Sequence, residues 1–171
     1  MISDRMRKLA RALDLVAEKD RQELARQFAL EQVRREAAVE LHTICRRFVD
    51  EMNSLTGQVK LDLAPAQFAP GQFQENGANL FQINLNGRLV QFTFRATESL
   101  VSTDNFRIPY TLEGHVSSFN QQMIEHDEIR DQRLFYCLER GNNRWRYQEG
   151  ANGRNGFVDS DYIAALLERL T

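Results

Sequence analysis

Helix-breaking residues are missing from the first third of the chain. The sequence has nine glycines and three prolines, and none of them precedes Gly57. In a helix interior, glycine costs about 1 kcal/mol and proline about 3 kcal/mol relative to alanine. Because this part of the chain is also rich in Ala, Leu, Arg, Glu and Gln, we predict a long N-terminal helix within residues 1–55.

Cysteines and long apolar runs are also scarce. Cys45 and Cys137 are the only cysteines, and they lie far apart. A disulfide framework uses several cysteines in a secreted chain, so we expect two reduced, buried thiols. No apolar run approaches the ~18–20 residues that span a bilayer, and the charged N-terminus lacks the apolar core of a signal peptide. We therefore expect a cytoplasmic protein without a membrane partner.

Neither sign of charge dominates the chain. It has 22 basic and 24 acidic residues and a formal net charge of −2. A protein whose main task is to coat a nucleic acid needs a large basic excess. The composition therefore argues against nucleic acid as the partner, although a local basic patch would be compatible with it.

The motifs that identify common enzyme classes are absent from the sequence. It contains no G-x-S-x-G, no H-E-x-x-H and no paired C-x-x-C. Gly150, Gly153 and Gly156 are spaced three apart, which matches neither the P-loop nor the dinucleotide fingerprint. The predicted helix after them starts near Asp159 and Asp161, whose charges would repel phosphate. We predict no cofactor, and the sequence does not decide whether the chain is an enzyme.

Apolar residues in the predicted helix recur every three or four positions, as an amphipathic helix requires. The first stripe comprises Ile2, Met6, Leu9, Leu13 and Val16, and Leu24 and Phe28 continue it. The second stripe comprises Leu30, Val33, Ala37, Leu41, Ile44, Phe48, Met52 and Leu55. At 100° per residue the two stripes are offset by roughly 100°. We expect one long helix, with a bend near residues 18–23 or a break into two helices as the alternatives.

The length of this helix has a consequence for assembly. Some 50 helical residues would span roughly 75–80 Å, whereas a body made by residues 56–171 has a radius of gyration of only ~13 Å. A straight helix would overhang that body, and its first stripe would need cover, most simply from a second copy. The candidate oligomer or partner surface is Ile2, Met6, Leu9, Leu13, Val16, Leu24 and Phe28. A homo-oligomer, most simply a dimer, is the expected assembly.

After the predicted helix the apolar pattern changes to the period of two that is typical of strands. Residues 80–95 give the clearest hairpin, because Asn86–Gly87 favours a type I′ turn in which both residues need a positive φ. That turn places Phe81 opposite Phe92. Turn chemistry and the alternation of apolar residues predict the same register independently.

Two further strand regions are visible in the pattern. Residues 106–116 alternate, with Pro109 indicating an edge strand and Gly114 a bulge. Residues 134–139 are apolar on both faces, as in a central strand that is buried on both sides. Residues 144–148 are the expected hairpin partner of that central strand.

The remaining segments complete the predicted fold. Residues 120–130 fit either a short helix capped by Asn120 or a polar strand, and we leave both open. Asp159 or Ser160 should cap a last helix, whose inner side carries Ile163, Leu166, Leu167 and Leu170. We predict an α+β fold with a long N-terminal helix, an antiparallel sheet of about five to seven strands, and a C-terminal helix packed on the sheet.

Three segments contain side chains that could carry chemistry, and a structural interpretation is favoured for each. The charged segment Glu125–Asp131 could bind a divalent cation or act as acid and base, or form an exposed charge run. His42 and Cys45 could form a nucleophile pair, or simply pack. The alternating Arg144–Tyr147 could stack on bases, or direct its aromatics to the core and its arginines to solvent.

The phenylalanines of the predicted sheet suggest one more possibility. A curved sheet with a helix across it often encloses an apolar pocket, although a solidly filled core is favoured here. The candidate lining is Phe81, Phe92, Phe94 and Phe106. Our leading hypothesis is a non-enzymatic interaction or oligomerisation module that uses the long helix. The alternative is a protein or enzyme that binds a small apolar ligand between the sheet and the helices.

Overall fold

A computed structural model of the chain describes residues 1–102, 108–150 and 153–171. The helices are α1 (Asp4–Leu55), α2 (Gln121–Glu125) and α3 (Ser160–Glu168). The strands are β1 (Asp62–Ala64), β2 (Asn79–Leu85), β3 (Arg88–Ser102), β4 (Pro109–Phe119), β5 (Arg130–Cys137), β6 (Arg144–Gln148) and β7 (Asn155–Phe157). The predicted α+β fold is confirmed, and the N-terminal segment forms one helix of 52 residues.

The chain groups into two compact units. The N-terminal unit comprises Met1–Val33 and the C-terminal unit Arg34–Thr171. Helix α1 contributes residues to both units. The C-terminal unit contains all the strands described above together with α2 and α3.

The seven strands form one antiparallel sheet in which each strand pairs with the next along the chain. The hairpin of β2 and β3 has the predicted register, with Phe81 opposite Phe92. Asn86 and Gly87 have φ of 49° and 85°, as a type I′ turn requires. The turn is further held by Asn84 Oδ1, which accepts a hydrogen bond from the Gly87 amide at 2.9 Å.

Two expectations about β4 were wrong. This strand is central rather than an edge, since it pairs with both β3 and β5. Pro109 fits because it is the first residue of the strand, a position that proline tolerates. Gly114 is not a bulge but pairs in register with Phe94 and Leu134. The irregularity in the pairing of β4 with β5 lies instead between Tyr110 and Leu112.

The segment between β4 and β5 contains both of the structures left open by the sequence. Asn120 caps α2, because its side-chain oxygen accepts a hydrogen bond from the Met123 amide at 2.9 Å. Strand β5 then begins at Arg130. Its four last residues, 134–137, are all buried, which confirms the prediction of a strand covered on both faces.

The core of the C-terminal unit lies between one face of the sheet and helical residues of α1 and α3. Trp145 in β6 is fully buried, and its indole Nε1 donates to the Ala37 carbonyl oxygen of α1 at 2.8 Å. On α3, Asp159 supplies the predicted cap by accepting from the Tyr162 amide at 2.8 Å. The Tyr162 ring stacks on Tyr147 of β6 with 4.0 Å between centroids. The predicted C-terminal helix therefore packs on the sheet.

Candidate functional site

The apolar stripe of the N-terminal unit is exposed along its whole length. Its side chains are between 53 and 71% exposed, and we call the set the N-terminal stripe: Ile2, Met6, Leu9, Leu13, Val16, Leu24 and Phe28. Single exposed apolar side chains are normal on protein surfaces, but a contiguous apolar patch indicates an interaction site. The structure therefore places the predicted surface residues where a partner could contact them.

Local sequence explains why this part of the stripe is helical and regular. Ser3 Oγ accepts a hydrogen bond from the Met6 amide at 3.3 Å, which satisfies one of the free amides of the first turn. Asp4 in that turn interacts favourably with the helix dipole. From Ile2 to Val16 the apolar residues follow steps of four, three, four and three, which is the a/d spacing of a heptad repeat. A seam of this spacing suits contact with another helix.

Leu15 provides an internal comparison for this surface. It is exposed like the stripe residues, but at 100° per residue it lies more than a quarter-turn outside the stripe. One flank of the stripe carries the small residues Ala10 and Ala17, whereas the other carries Arg5 and Lys19 beside Ala12. The small side chains of the first flank would let a second helix approach closely on that side.

The predicted pocket residues lie in the core of the C-terminal unit. Phe81, Phe92 and Phe94 are buried, and Phe106 lies outside the residues that the structure describes. The Phe94 ring contacts those of Phe81 and Trp145 at centroid distances of 5.4 and 5.1 Å. Such edge-to-face contacts are favourable packing arrangements. Binding of an apolar ligand among these rings stays a prediction.

Surface clefts occur elsewhere in the C-terminal unit. One of about 610 Å³ lies beside α2 and is lined in part by Met123, His126 and Arg130. Another of about 410 Å³ lies beside α3, where Tyr147 and Tyr162 contribute to its wall. Both are open and bordered by charged side chains, unlike the enclosed, mostly apolar sites that bind small apolar ligands.

His42 and Cys45 are packed into the core rather than exposed as a reactive pair. His42 Nε2 donates to the Pro65 carbonyl oxygen at 2.8 Å, and its ring lies against Phe81. Burial raises the pKa of the Cys45 thiol far above its usual value, so the thiol stays protonated and is a poor nucleophile. Burial also raises the pKa of Cys137 to about 11. Both cysteines are free and buried, as expected.

Two candidate segments remain, the charged Glu125–Asp131 and the alternating Arg144–Tyr147. Every residue from Glu125 to Asp131 is exposed, and in the described ranges no three His, Cys, Asp or Glu side chains are grouped to hold a metal ion. Trp145 points into the core, whereas the Arg144 and Arg146 guanidinium groups lie over the Phe157 ring at 4.4 Å. Trp145 therefore occupies the predicted core position, but Tyr147 is only half-buried. The expectation that the arginines point to solvent was wrong, because both are half-buried and Arg146 forms an ion pair with Glu139.

Sequence reasoning missed a buried arginine near the start of the C-terminal unit. Arg34 donates from Nε to Thr111 Oγ1 at 2.7 Å and from a terminal nitrogen to the Thr97 carbonyl oxygen at 2.6 Å. It also forms an ion pair with Glu75. The sequence did contain a signal for this burial, namely the position of Arg34 on the helix. Arg34 precedes the buried Ala37 and Leu41 by three and seven residues and therefore lies on the same helical face.

A second polar contact on α1 also escaped the sequence analysis. Burial raises the pKa of the Glu40 carboxyl, while hydrogen bonding by Tyr136 and the charge of Arg144 oppose that rise. The Tyr136 hydroxyl donates to Glu40 Oε2 at 3.4 Å, and burial, followed by the Glu40 charge, raises the pKa of Tyr136. This contact links α1 to β5.

Comparisons of the chain with protein-family models, curated proteins and solved structures found no match. In the part of the chain that the structure describes, no helix has the length and apolarity to cross a membrane.

Proposed function

We propose that this protein is an interaction module that binds a protein partner through the N-terminal stripe, and that a second copy of the chain is the principal partner. The observation that carries the proposal is the exposed stripe itself, which places six large apolar side chains along α1 and Ile2 just before its first turn. Leaving them in water forgoes about 1.5–3 kcal/mol for each side chain that could be fully buried. A facing helix would recover part of that free energy.

The stripe also lies on a helix that is formed before a partner binds. An isolated helix of fewer than ~12–15 residues is only marginally stable in water. A short docking peptide therefore loses conformational entropy when it folds on binding, and this loss weakens its affinity. Here every stripe residue except Ile2 belongs to a continuous helix of 52 residues. Much of the conformational entropy has therefore been lost before association, which favours binding.

We also propose that the protein works in the cytoplasm. Cys45 and Cys137 are free and buried in the structure. Unpaired cysteines are typical of reducing compartments, where glutathione and thioredoxin keep thiols reduced.

Light scattering coupled to chromatography tests the proposed self-association. We expect the full chain to be dimeric at micromolar concentrations and the double variant Leu9→Ser/Leu13→Ser to dissociate on the order of 100-fold more readily, because two apolar layers are lost. Leu15→Ser makes the same chemical change at an exposed leucine outside the stripe and should leave the dimer intact. Circular dichroism would check that all variants keep their helix.

Two results would contradict self-association. One is a chain that remains monomeric up to about 1 mM, where an association free energy near −4 kcal/mol would be detected. The other is a dimer that Leu9→Ser/Leu13→Ser and Leu15→Ser affect equally, since this would place the interface away from the N-terminal stripe.

A further inference from the structure

We infer that the cleft of about 610 Å³ beside α2, which we call the α2 cleft, binds a small organic phosphate. Its walls are formed by α2 and the residues that flank it, the end of β4, the start of β5 and the residues that follow α3. All of them lie in the C-terminal unit, so this inference goes beyond the proposed self-association and does not depend on it. The cleft has the volume of a small-molecule site, which is typically about 300–1,000 Å³.

The register of the sheet brings a hydroxyl and a guanidinium to the same wall. Ser118 of β4 and Arg130 of β5 are directly opposite each other, and the Cβ atoms of such a pair lie about 4.5–5.5 Å apart on one face of the sheet. Val90 of β3 pairs with Ser118 from the other side and is fully buried. Ser118 and Arg130 therefore lie on the sheet face that packs against the helices.

Two polar side chains in these walls have donors available for a ligand. Ser118 is only 2% exposed and lines the cleft, and among the described residues its hydroxyl makes no hydrogen bond. Buried polar groups are normally hydrogen-bonded, and the cleft is the side from which a partner can reach this one. Asn120 uses its side-chain oxygen to accept from the Met123 amide at 2.9 Å, which leaves its amide nitrogen as a donor beside the cleft.

Positive charge exceeds negative charge in the walls. Arg130 and Arg169 line the cleft with Glu128, and His126 adds positive charge when it is protonated. Within the described ranges Arg130 forms no ion pair, and the Arg169 guanidinium lies 3.9 Å from Glu149 Oε1. Exposed pairs of this kind contribute little, so both guanidinium groups are available to an added anion.

Backbone hydrogen bonds hold two of the walls in place. Arg88 Nε donates to the Leu170 carbonyl oxygen at 2.9 Å, which ties the segment that carries Arg169 to the β2–β3 hairpin. In the turn between α2 and β5, the Glu128 amide donates to the Met123 carbonyl oxygen at 2.8 Å. Walls that are ordered before the ligand arrives reduce the entropy lost on binding.

The donors fit a phosphate better than a carboxylate. A phosphate monoester has three terminal oxygens and a charge of about −1.5 to −2 at pH 7, so it can accept from several elements at once. A carboxylate has only two oxygens, which a single guanidinium can occupy as a bidentate pair. Met123 and Leu170 supply apolar surface in the same cleft, against which the organic group of the ligand would pack.

Calorimetric titration of the full chain with phenyl phosphate at constant ionic strength tests this site. We expect a Kd below about 1 mM, and affinities about tenfold weaker for inorganic phosphate, which lacks the apolar group, and for benzoate, which replaces phosphate by a carboxylate. Absence of phenyl phosphate binding up to about 10 mM would overturn the site. Inorganic phosphate or benzoate that binds as tightly as phenyl phosphate would overturn the assigned class of ligand.

Arginine variants locate the binding. Arg130→Gln and Arg169→Gln should each weaken phenyl phosphate binding by about tenfold, because each removes a charged donor. Both arginines are exposed, and circular dichroism would check that the fold is retained. Arg140→Gln is the matched control, since Arg140 is exposed but does not line the cleft, and it should leave the affinity unchanged. Equal weakening by Arg140→Gln and Arg130→Gln would show attraction to overall charge and overturn the site.

A serine variant tests the buried hydroxyl separately from the charges. Ser118→Ala should weaken phenyl phosphate binding by about threefold, because a hydrogen bond to the anion is lost. Ser118→Cys, which keeps a side chain of similar shape with a weaker donor, gives the same comparison if the alanine variant does not fold. Unchanged affinity would contradict the role of Ser118 in the site.

Discussion

At the scale of single residues, the buried guanidinium of Arg34 shows how a charge is accommodated in this core. Only 6% of the residue is exposed, and a charge removed from water is tolerated only when it is paired and hydrogen-bonded. Arg34 meets this condition through Glu75, Thr97 and Thr111, which belong to a loop and to two strands. One side chain therefore holds α1 to three separate segments of the C-terminal unit.

We expect Arg34→Ala to lower the free energy of unfolding by about 3–5 kcal/mol, because it leaves the carboxylate of Glu75 without its ion-pair partner in a largely buried position. Urea unfolding measures this difference. Arg47→Ala removes an exposed arginine from the same helix and should change the free energy by no more than about 0.5 kcal/mol. A loss below about 1 kcal/mol for Arg34→Ala would contradict the role given to the network.

The double variant Arg34→Met/Glu75→Leu separates the ion pair from packing. Replacing a buried pair by apolar groups of similar size is often neutral or stabilising. We expect the double variant to be more stable than Arg34→Ala, as measured by the same urea titration.

At the scale of elements, the apolar pattern in the second half of α1 predicted only part of the helix face that is buried. Of the predicted second stripe, Ala37, Leu41 and Phe48 are buried. Leu55, by contrast, is 80% exposed. The face that is buried in the structure comprises Arg34, Ala37, Ala38, Leu41, His42, Cys45, Phe48 and Val49.

The difference has a physical cause. Arg34 and His42 are polar residues that do not belong to the second apolar stripe, and tertiary hydrogen bonds offset the cost of burying them. Counting them shifts the centre of the buried face around the helix relative to the second stripe.

The pairing of β3 with β4 depends on the missing side chain of Gly114. A Cβ atom at this position would lie 1.8 Å from the Thr93 carbonyl oxygen and 2.7 Å from Phe94 Cα. Both are backbone atoms of the adjacent strand, so the strands would have to move apart. This close approach, rather than a bulge, explains glycine in the middle of a central strand.

We expect Gly114→Ala to destabilise the protein by about 3 kcal/mol or more, since overpacking forces backbone shifts in a closely packed region. Thermal unfolding followed by circular dichroism gives the change in Tm. Gly57→Ala is the matched control, because a Cβ there meets no atom within 4 Å. Equal Tm changes for the two variants would refute the steric explanation.

At the scale of the whole molecule, buried weak acids make stability depend on pH in the alkaline range. Burial raises the pKa of Cys45, Tyr136 and Tyr162 above their ordinary values of 9.0 for cysteine and 10.0 for tyrosine. Below about pH 8 these groups are protonated in the folded and unfolded chains alike. At higher pH the unfolded chain releases the protons first, so the unfolded state becomes more favourable.

We therefore expect the free energy of unfolding to fall as the pH rises above about 9. A group that is ionised only in the unfolded chain lowers this free energy by about 1.4 kcal/mol per pH unit, and Cys45 should approach that limit because it is fully buried. Urea titrations between about pH 8 and 10.5 measure the slope. Cys45→Ala should reduce it whatever its effect at pH 8, and an unchanged slope would contradict the assignment.

The sequence by itself determined the features that depend on neighbouring residues. The absence of helix breakers predicted one N-terminal helix, and the Asn86–Gly87 turn predicted the hairpin register. Asp159 was one of the two residues named as the cap of the last helix. The recurrence of apolar residues every three or four positions likewise identified the N-terminal stripe, because periodicity is a local property of the chain.

Only the tertiary structure decided what each face of those elements meets. Pro109 begins a central strand because β5 lies beside it, and Arg34 is buried because partners distant in the sequence satisfy its charge. The same holds for the candidate surface, since the sequence named the stripe but the structure showed its side chains exposed. Local propensity and turn chemistry act between near neighbours, whereas burial is set by segments that folding brings together from far along the chain.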